Sequence, residues 1–198
     1  ADGRIVRDNC YGTLEEDAFR RDFTVNALYY DIADFSVVDY VGGVEDLRAG
    51  RVRLIGDPET RYTEDPVRML RAVRFAAGLG FFIDMATAAP IPGMSGLLDS
   101  IPPARLFEEC NKLFLSGESV TIYQLLRRFR LFEQLFPASA AILHEEAHHY
   151  PHTFLTHVFA DTDRRVSEGR PVTPAFVLAA LLWHPVHRRW AEVMAEEG

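Results

Sequence analysis

The chain has 198 residues, 48% of them hydrophobic, which is enough for one globular domain or two small lobes with a buried core and excludes disordered and fibrous classes. A formal net charge of -8 speaks against a protein that coats nucleic acid through many phosphate contacts. The longest apolar stretch, Ala175 to Trp183, is about half of the roughly 20 residues a bilayer span needs, and nothing ahead of Asp2 has the pattern of a leader, so the expectation is a soluble, cytoplasmic protein with no membrane partner.

In chain order, residues 1–57 read as strands broken by one helix. Leu14 to Arg21 is a short charged helix, and Phe23 to Tyr40 is β-rich, with Asp34 supplying a turn. Gly42-Gly43 breaks the chain, Val44 to Arg48 makes one helical turn, and Arg51 to Ile55 is a strand closed by Gly56-Asp57-Pro58. From Thr60 the apolar period becomes helical, with Val67, Leu70, Val73, Phe75 and Ala77 leading to Gly80, and Pro66 near the first turn. Pro102-Pro103 opens another helix, carrying Leu106, Phe107, Cys110, Leu113 and Phe114 and ended by Gly117. Further helices are expected over about Val120 to Phe129, Phe154 to Ser167 and Pro174 to Trp183. The fold class is α+β, with a few strands first and an all-helical remainder from residue 58 to 198.

Cys10 and Cys110 cannot form a disulfide framework or a four-ligand zinc site by themselves, and both are expected as reduced thiols. Every basic residue except Lys112 is Arg, and most of the clusters (Arg127-Arg128, Arg164-Arg165, Arg188-Arg189) read as solvated faces. Two groups carry more chemistry. Thr63 to Phe75 as one helix places Asp65 and Arg68 three apart on one face. The commoner outcome of that spacing is a solvated ion pair. Yet a carboxylate only accepts hydrogen bonds and a guanidinium only donates, so together they complement a base edge with an amine beside a ring-nitrogen acceptor, as in adenine and cytosine. Arg20-Arg21-Asp22, running into a strand with Asn26, could hold a triphosphate, a ribose hydroxyl or a metal ion, although an isolated motif of this kind is usually surface charge.

Taken in order, R-R-D-F-T-V-N-A-L at 20–28, D-Y-V-G-G-V-E-D-L at 39–47 and E-D-P-V-R-M-L-R at 64–71 resemble successive motifs of the class II nucleotidyltransferases, which include CCA-adding enzymes and bacterial poly(A) polymerases. The text between them, at 53–62, 67–81 and 101–109, looks most like the bacterial poly(A) polymerase branch. The resemblance implies that residues 1–57 are the later part of a nucleotidyltransferase head and 58–198 a helical neck and partial body that bind RNA and nucleotide. It implies contact with nucleotide sugar and phosphates for Arg20, Arg21, Asp22 and Asn26, with Asp22 counted as catalytic. It makes Gly42 and Gly43 a flexible joint, and Glu64, Asp65 and Arg68 a base template, with Arg71 and Arg74 expected to face phosphate or RNA. The implied reaction is template-independent transfer of AMP from ATP to an RNA 3′ end with Mg2+; the alternatives are CCA addition to tRNA and a non-catalytic RNA- or nucleotide-binding helical module.

The family's Gly-Gly-Arg-Asp loop and its strand with two magnesium-binding aspartates precede the matched motifs, so a metal site is not expected from the residues seen here, and a fragment is expected to be inactive alone. Asp57-Pro58-Glu59 is a decoy, because a turn proline cannot sit in such a strand, and Asp161-Thr162-Asp163 is another, on a helix with no glycine loop before it. His144-Glu145-Glu146-Ala147-His148 matches the zinc-protease pattern, with His149, His152 and His157 nearby. The following Pro151 and the lack of the downstream zinc-protease elements make it a remote reading, and no zinc is expected.

Overall fold

In the computed structural model, residues 12–145 and 150–196 are described. Cys10, His148 and His149 lie outside them, and the His144 to His148 pattern falls across the same gap. Helix α1 (Leu14–Arg20) starts where its cap dictates. The Thr13 hydroxyl accepts from Glu16 N at 3.2 Å, and the Thr13 N–H donates to the Glu16 carboxylate at 2.9 Å. A single 3-10 turn, Thr24–Asn26, leads into β1 (Leu28–Tyr30), which pairs antiparallel with β2 (Val37–Asp39) in the register Tyr29 opposite Val38. Asp34 makes the expected turn by accepting from Ser36 N at 2.9 Å, beside Phe35 at φ 60°.

At the end of β2 the Asp39 carboxylate accepts hydrogen bonds from the backbone N–H of Val41, Gly42, Gly43 and Val44, all within 3.0 Å. This fixes the entry to α2 (Gly43–Ala49) and explains both glycines. Gly42 has φ +81°, and a Cβ on Gly43 would lie 2.2 Å from the Thr24 carbonyl oxygen. Burial opposes the charge on Asp39, but these N–H groups outweigh it and hold the carboxyl below its ordinary range.

The strand expected over Arg51 to Ile55 is shorter. Only β3 (Arg51–Val52) forms a ladder, parallel to β4 (Phe82–Ile83), because beyond it Leu54 makes an isolated bridge to Phe23 and gives its N–H to the Thr87 hydroxyl at 3.0 Å. The helix expected through Thr63 to Phe75 is two helices, α3 (Pro58–Glu64) and α4 (Val67–Leu79). Asp65 stands between them at φ -149°, ψ 95°, in the extended region that a following proline favours over the α region. Asp57 caps α3 by accepting from Thr60 N at 2.9 Å, which is the structural use of the Asp57-Pro58-Glu59 decoy.

After β4 come α5 (Met85–Ala88), α6 (Ile91–Met94), a 3-10 segment Ser95–Ser100, α7 (Pro103–Phe114) and α8 (Ser119–Arg128). The chain then runs through α9 (Leu131–Leu135), α10 (Pro137–Glu145), α11 (Tyr150–Ser167) and α12 (Pro174–Glu196). Asp163 on α11, the second decoy, caps α8: its carboxylate accepts from Ser119 N at 2.7 Å, Ser119 Oγ at 2.5 Å and Val120 N at 3.1 Å. Helix α12 passes Pro185, beyond its expected end at Trp183. Its first half packs through Val177, Ala180 and Leu181, whereas Val186, Trp190 and Met194 are exposed. Among the described residues no helix is long and apolar enough to cross a membrane.

One continuous core crosses residue 57. Phe23, Val52 and Leu54 pack with Tyr62, Met69, Leu70 and Val73, and the cluster continues to Tyr123, Phe132 and Phe159. Phe114 stacks on Phe159 at 5.0 Å between ring centroids. Strands β3 and β4 therefore share their apolar interior with the helices, while Tyr29 of β1 packs on a second, small cluster of Ala18, Ala27 and Ile55, consistent with the expected α+β class. Cys110 is a free thiol whose pKa is pushed up to about 11, first by burial and then by the neighbouring Glu109 charge.

The fully buried Asp46 joins α2 to β3. It accepts from Thr24 Oγ1 at 2.7 Å, Arg51 Nε at 2.6 Å and Arg53 Nε at 2.7 Å. Burial opposes its charge, and Thr24 and the two arginines outweigh that, so its pKa lies below the ordinary 3.8. Asp46→Ala should lower unfolding stability at pH 7 by roughly 2–4 kcal/mol, less than for a dry pair because both arginines reach solvent. Because the folded pKa is depressed, this contribution is complete above the ordinary carboxyl value and disappears as pH falls through the folded one. Urea titrations at neutral and acid pH should therefore show a smaller gap between wild type and Asp46→Asn at low pH.

Candidate functional site

Asp22 follows α1 directly and is pinned by its backbone, since its carbonyl accepts from Ile55 N at 2.9 Å. Its Oδ1 accepts from Phe23 N at 2.9 Å and Asn26 Nδ2 at 3.1 Å. Its Oδ2 accepts from Arg71 Nε at 2.6 Å, with Arg71 Nη2 at 2.5 Å. Three of the sequence candidates, Asp22, Asn26 and Arg71, thus form one cluster across the junction between the strands and α4. The guanidiniums of Arg71 and Arg74 lie 5.4 and 4.7 Å from the centroid of Phe75, whose ring meets Phe23 edge-on at 5.5 Å.

Both Asp22 oxygens are occupied by protein donors. No group of three or more His, Cys, Asp or Glu that could hold a metal ion occurs among the described residues. These residues therefore do not fit a magnesium ion.

Arg21 turns away from this cluster and pairs with Asp17, one turn earlier, at 2.9 Å. The Tyr29 hydroxyl donates to the same Asp17 oxygen at 2.7 Å, and that bond, followed by Arg21, holds the Asp17 carboxyl below its ordinary range. The Arg20 side chain is exposed. The carbonyls of Arg20 and Arg21 accept from Arg61 Nη2 at 3.2 and 2.7 Å, so this segment contributes its backbone as well as its charges.

The second cluster lies on either side of the break between α3 and α4. Glu64 accepts from Arg61 Nη1 and Arg68 Nη1, each at 2.9 Å, and Arg68 Nη1 also donates to the Arg61 carbonyl at 2.7 Å. The Arg68 hydrogen bond is the first cause of the lowered Glu64 pKa. Asp65 accepts from Arg105 Nη2 of α7 at 2.8 Å and from Val67 N at 3.3 Å. Asp65 and Arg68 are therefore not an ion pair on one helix face, which corrects the expectation from their spacing. The helix break gives the carboxylate to Arg105 and the guanidinium to Glu64. Each keeps capacity for another partner, since the bonds of Arg68 use only Nη1 and Asp65 Oδ1 accepts only the 3.3 Å bond.

Sequence reasoning missed Arg61 and Arg105. Arg61 links the carbonyls of Arg20 and Arg21 to Glu64, and Arg105 is 40 residues from Asp65; only the Arg61–Glu64 pair has a local spacing, and the bonds of Arg61 to the carbonyls and of Arg105 to Asp65 have none. Gly42 and Gly43 enter neither cluster and are held by Asp39 at the start of α2.

A family model described as the poly A polymerase head domain matches residues 2–53, and one described as the probable RNA and SrmB-binding site of polymerase A matches residues 80–143. Poly(A) polymerase I of Salmonella typhimurium is 50% identical over 196 residues, which cover 99% of this chain and 42% of that protein. The CCA-adding enzyme of Bacillus subtilis is 42% identical over 123 residues, covering 62% of this chain and 31% of that one. A crystal structure of a tRNA nucleotidyltransferase complexed with a primer tRNA and an incoming ATP analog superposes with a TM-score of 0.70 at 28% identity, over 86% of this chain and 50% of that chain. The chain thus spans less than half the length of these curated relatives.

The Asp22 to Arg71 bond should be visible as coupling. In a double-mutant cycle with Asp22→Asn and Arg71→Gln, measured by chemical unfolding, the two substitutions should fall short of additivity by roughly 1–3 kcal/mol. Additive losses would show that each residue acts alone.

Proposed function

Because this chain belongs to the poly(A) polymerase family, we propose that it serves template-independent transfer of AMP from ATP to an RNA 3′ end, with release of pyrophosphate. The observation that carries this over CCA addition is the extent of the likeness. Identity to a poly(A) polymerase runs through 99% of the chain, and the match to a CCA-adding enzyme covers 62%.

In this reading Asp22, Asn26 and Arg71 form the sugar and phosphate end of the nucleotide site, with Arg20 and Arg21 adding positive charge at its entrance. Asp22 orients Asn26 and Arg71 toward the ligand through its two oxygens. Asp65 accepts from the exocyclic amine of adenine and Arg68 donates to the ring nitrogen beside it, while Arg105 and Glu64 hold the two groups in place. Guanine and uracil present the opposite polarity at that edge and would leave a donor and an acceptor unpaired, at about 1–3 kcal/mol each. Gly42 and Gly43 provide a joint between the strands and α2. Magnesium, which the family implies, finds no fitting ligand set among the described residues, and none of these roles runs through it. RNA and ATP as substrates imply a cytoplasmic setting.

In the complete gene product, assayed with RNA, magnesium and each nucleotide in turn, Arg68→Ala should reduce the preference for ATP over GTP or UTP about ten- to hundredfold in kcat/KM. Asp22→Ala should lower the rate with every nucleotide, because sugar and phosphates are common to all. An equal loss for all nucleotides in Arg68→Ala would remove Arg68 from the base-reading role.

A further inference from the structure

A cavity of about 510 Å³ opens where the C-terminal end of α4, strand β4 and helix α8 meet. Its wall includes Phe81, Phe82, Thr121, Leu125, Arg128 and Phe129. The composition is unusual for a surface recess in an acidic chain. Phe82 is 57% exposed although it sits in a strand, and Phe129 forms a buried aromatic floor. The Arg128 guanidinium lies 5.7 Å from the Phe129 ring centroid and has no carboxylate partner among the described residues. Most arginines around the nucleotide clusters are tied to acids: Arg21 to Asp17, Arg68 to Glu64, Arg71 to Asp22 and Arg105 to Asp65.

We propose that this recess seats one nucleotide of single-stranded RNA, with its base against Phe82 and Phe129 and its phosphate on Arg128. The inference rests on the reading of the chain as an RNA-extending enzyme and adds a second point of contact for the RNA. An exposed aromatic face, that of Phe82, beside a cation with no carboxylate partner among the described residues is what a flexible strand of stacked bases requires, and it accepts any base because every base has a π-face. The location supports the same occupant, since the six named residues all fall within the segment, 80–143, that matches the RNA-binding family model. The recess is also distinct from the adenine reader. Arg68 and Gly80 are separated by twelve residues along α4, about 18 Å at 1.5 Å per residue, so one nucleotide cannot occupy both. The recess therefore holds a nucleotide of the RNA already made, and the Asp65 and Arg68 cluster takes the incoming one.

The test is fluorescence anisotropy of the 198-residue protein with end-labelled oligoadenylate, in wild type, Phe82→Ala, Arg128→Ala and, as a control on an exposed aromatic elsewhere, Trp190→Ala. Phe82→Ala should raise Kd about five- to thirtyfold and leave its salt dependence unchanged, because stacking releases no counterions. Arg128→Ala should raise Kd and also reduce the slope of log Kd against log salt by about 0.7, the amount expected for one lost phosphate contact on a single strand. Trp190→Ala should bind as wild type, and thermal midpoints should confirm that all variants are folded. RNA binding by the wild type that neither pocket variant weakens would overturn the recess and leave the enzymatic reading standing. Failure of the wild type to bind oligoadenylate at all would overturn the recess, and the nucleotide preferences of the complete gene product would test the enzymatic reading separately.

Discussion

Asp65 takes the extended backbone that a following proline favours, and the geometry of the clusters around Arg68 and Arg71 follows from that local preference. With Asp65 extended, α3 and α4 cannot run on as one rod. The chain turns, so the Arg61 carbonyl and the Glu64 carboxylate at the end of α3 meet the Arg68 guanidinium from the first turn of α4. The same turn leaves Asp65 facing α7, where Arg105 takes it. Arg61 then reaches back to the carbonyls after α1, and Arg71, one turn beyond Arg68, reaches Asp22. A straight helix would have paired Asp65 with Arg68 and spent the acceptor and donor on each other.

The charges follow a consistent pattern. An acidic chain dominated by arginine places carboxylates where they orient backbone or guanidinium groups. Asp39 gathers four N–H groups at the entry to α2, Asp46 fastens β3 to α2 through two arginines, and Asp22 ties the segment after α1 to α4. None of these is a loosely solvated surface pair. Each lies at a junction between elements, and the apolar core from Phe23 to Phe159 runs from the strands into the helices. The site is held at the seam between strands and helices, where a small displacement of either side would change its shape.

What could be read in advance was what depends on near neighbours. The short charged helix from Leu14 and the end of the helical period at Gly80 were legible from near neighbours, whereas Asp57-Pro58 was read only as the turn closing a strand, although Asp57 caps α3. The ordered motifs pointed to Asp22, Asn26 and Arg71, which the fold does assemble. The pairing of Asp65 with Arg68 was misread because periodicity was extended across a residue that precedes proline. The length of α12 was misread the opposite way, because Pro185 removes one hydrogen bond without ending the helix. The bonds of Arg105 to Asp65 and of Arg61 to the Arg20 and Arg21 carbonyls were invisible because they span about 40 residues, and no local pattern encodes a contact that only the folded chain creates, whereas the Arg61–Glu64 pair has the local i,i+3 spacing.

The cap on α8 bears on how such a chain acquires its structure. The first N–H groups of that helix are satisfied by a carboxylate that the chain reaches more than forty residues later. Until α11 has docked, Ser119 and Val120 lack that partner, and the helix that carries Arg128 and Phe129 begins with a frayed first turn. Closing so long a loop must precede the reward for closing it, which places completion of α8 late in assembly. During synthesis, the wall of the recess at residues 121–129 would therefore remain unsettled until well after those residues had left the ribosome. The recess beside Arg128 takes its final shape only on a chain whose α11 is already in place.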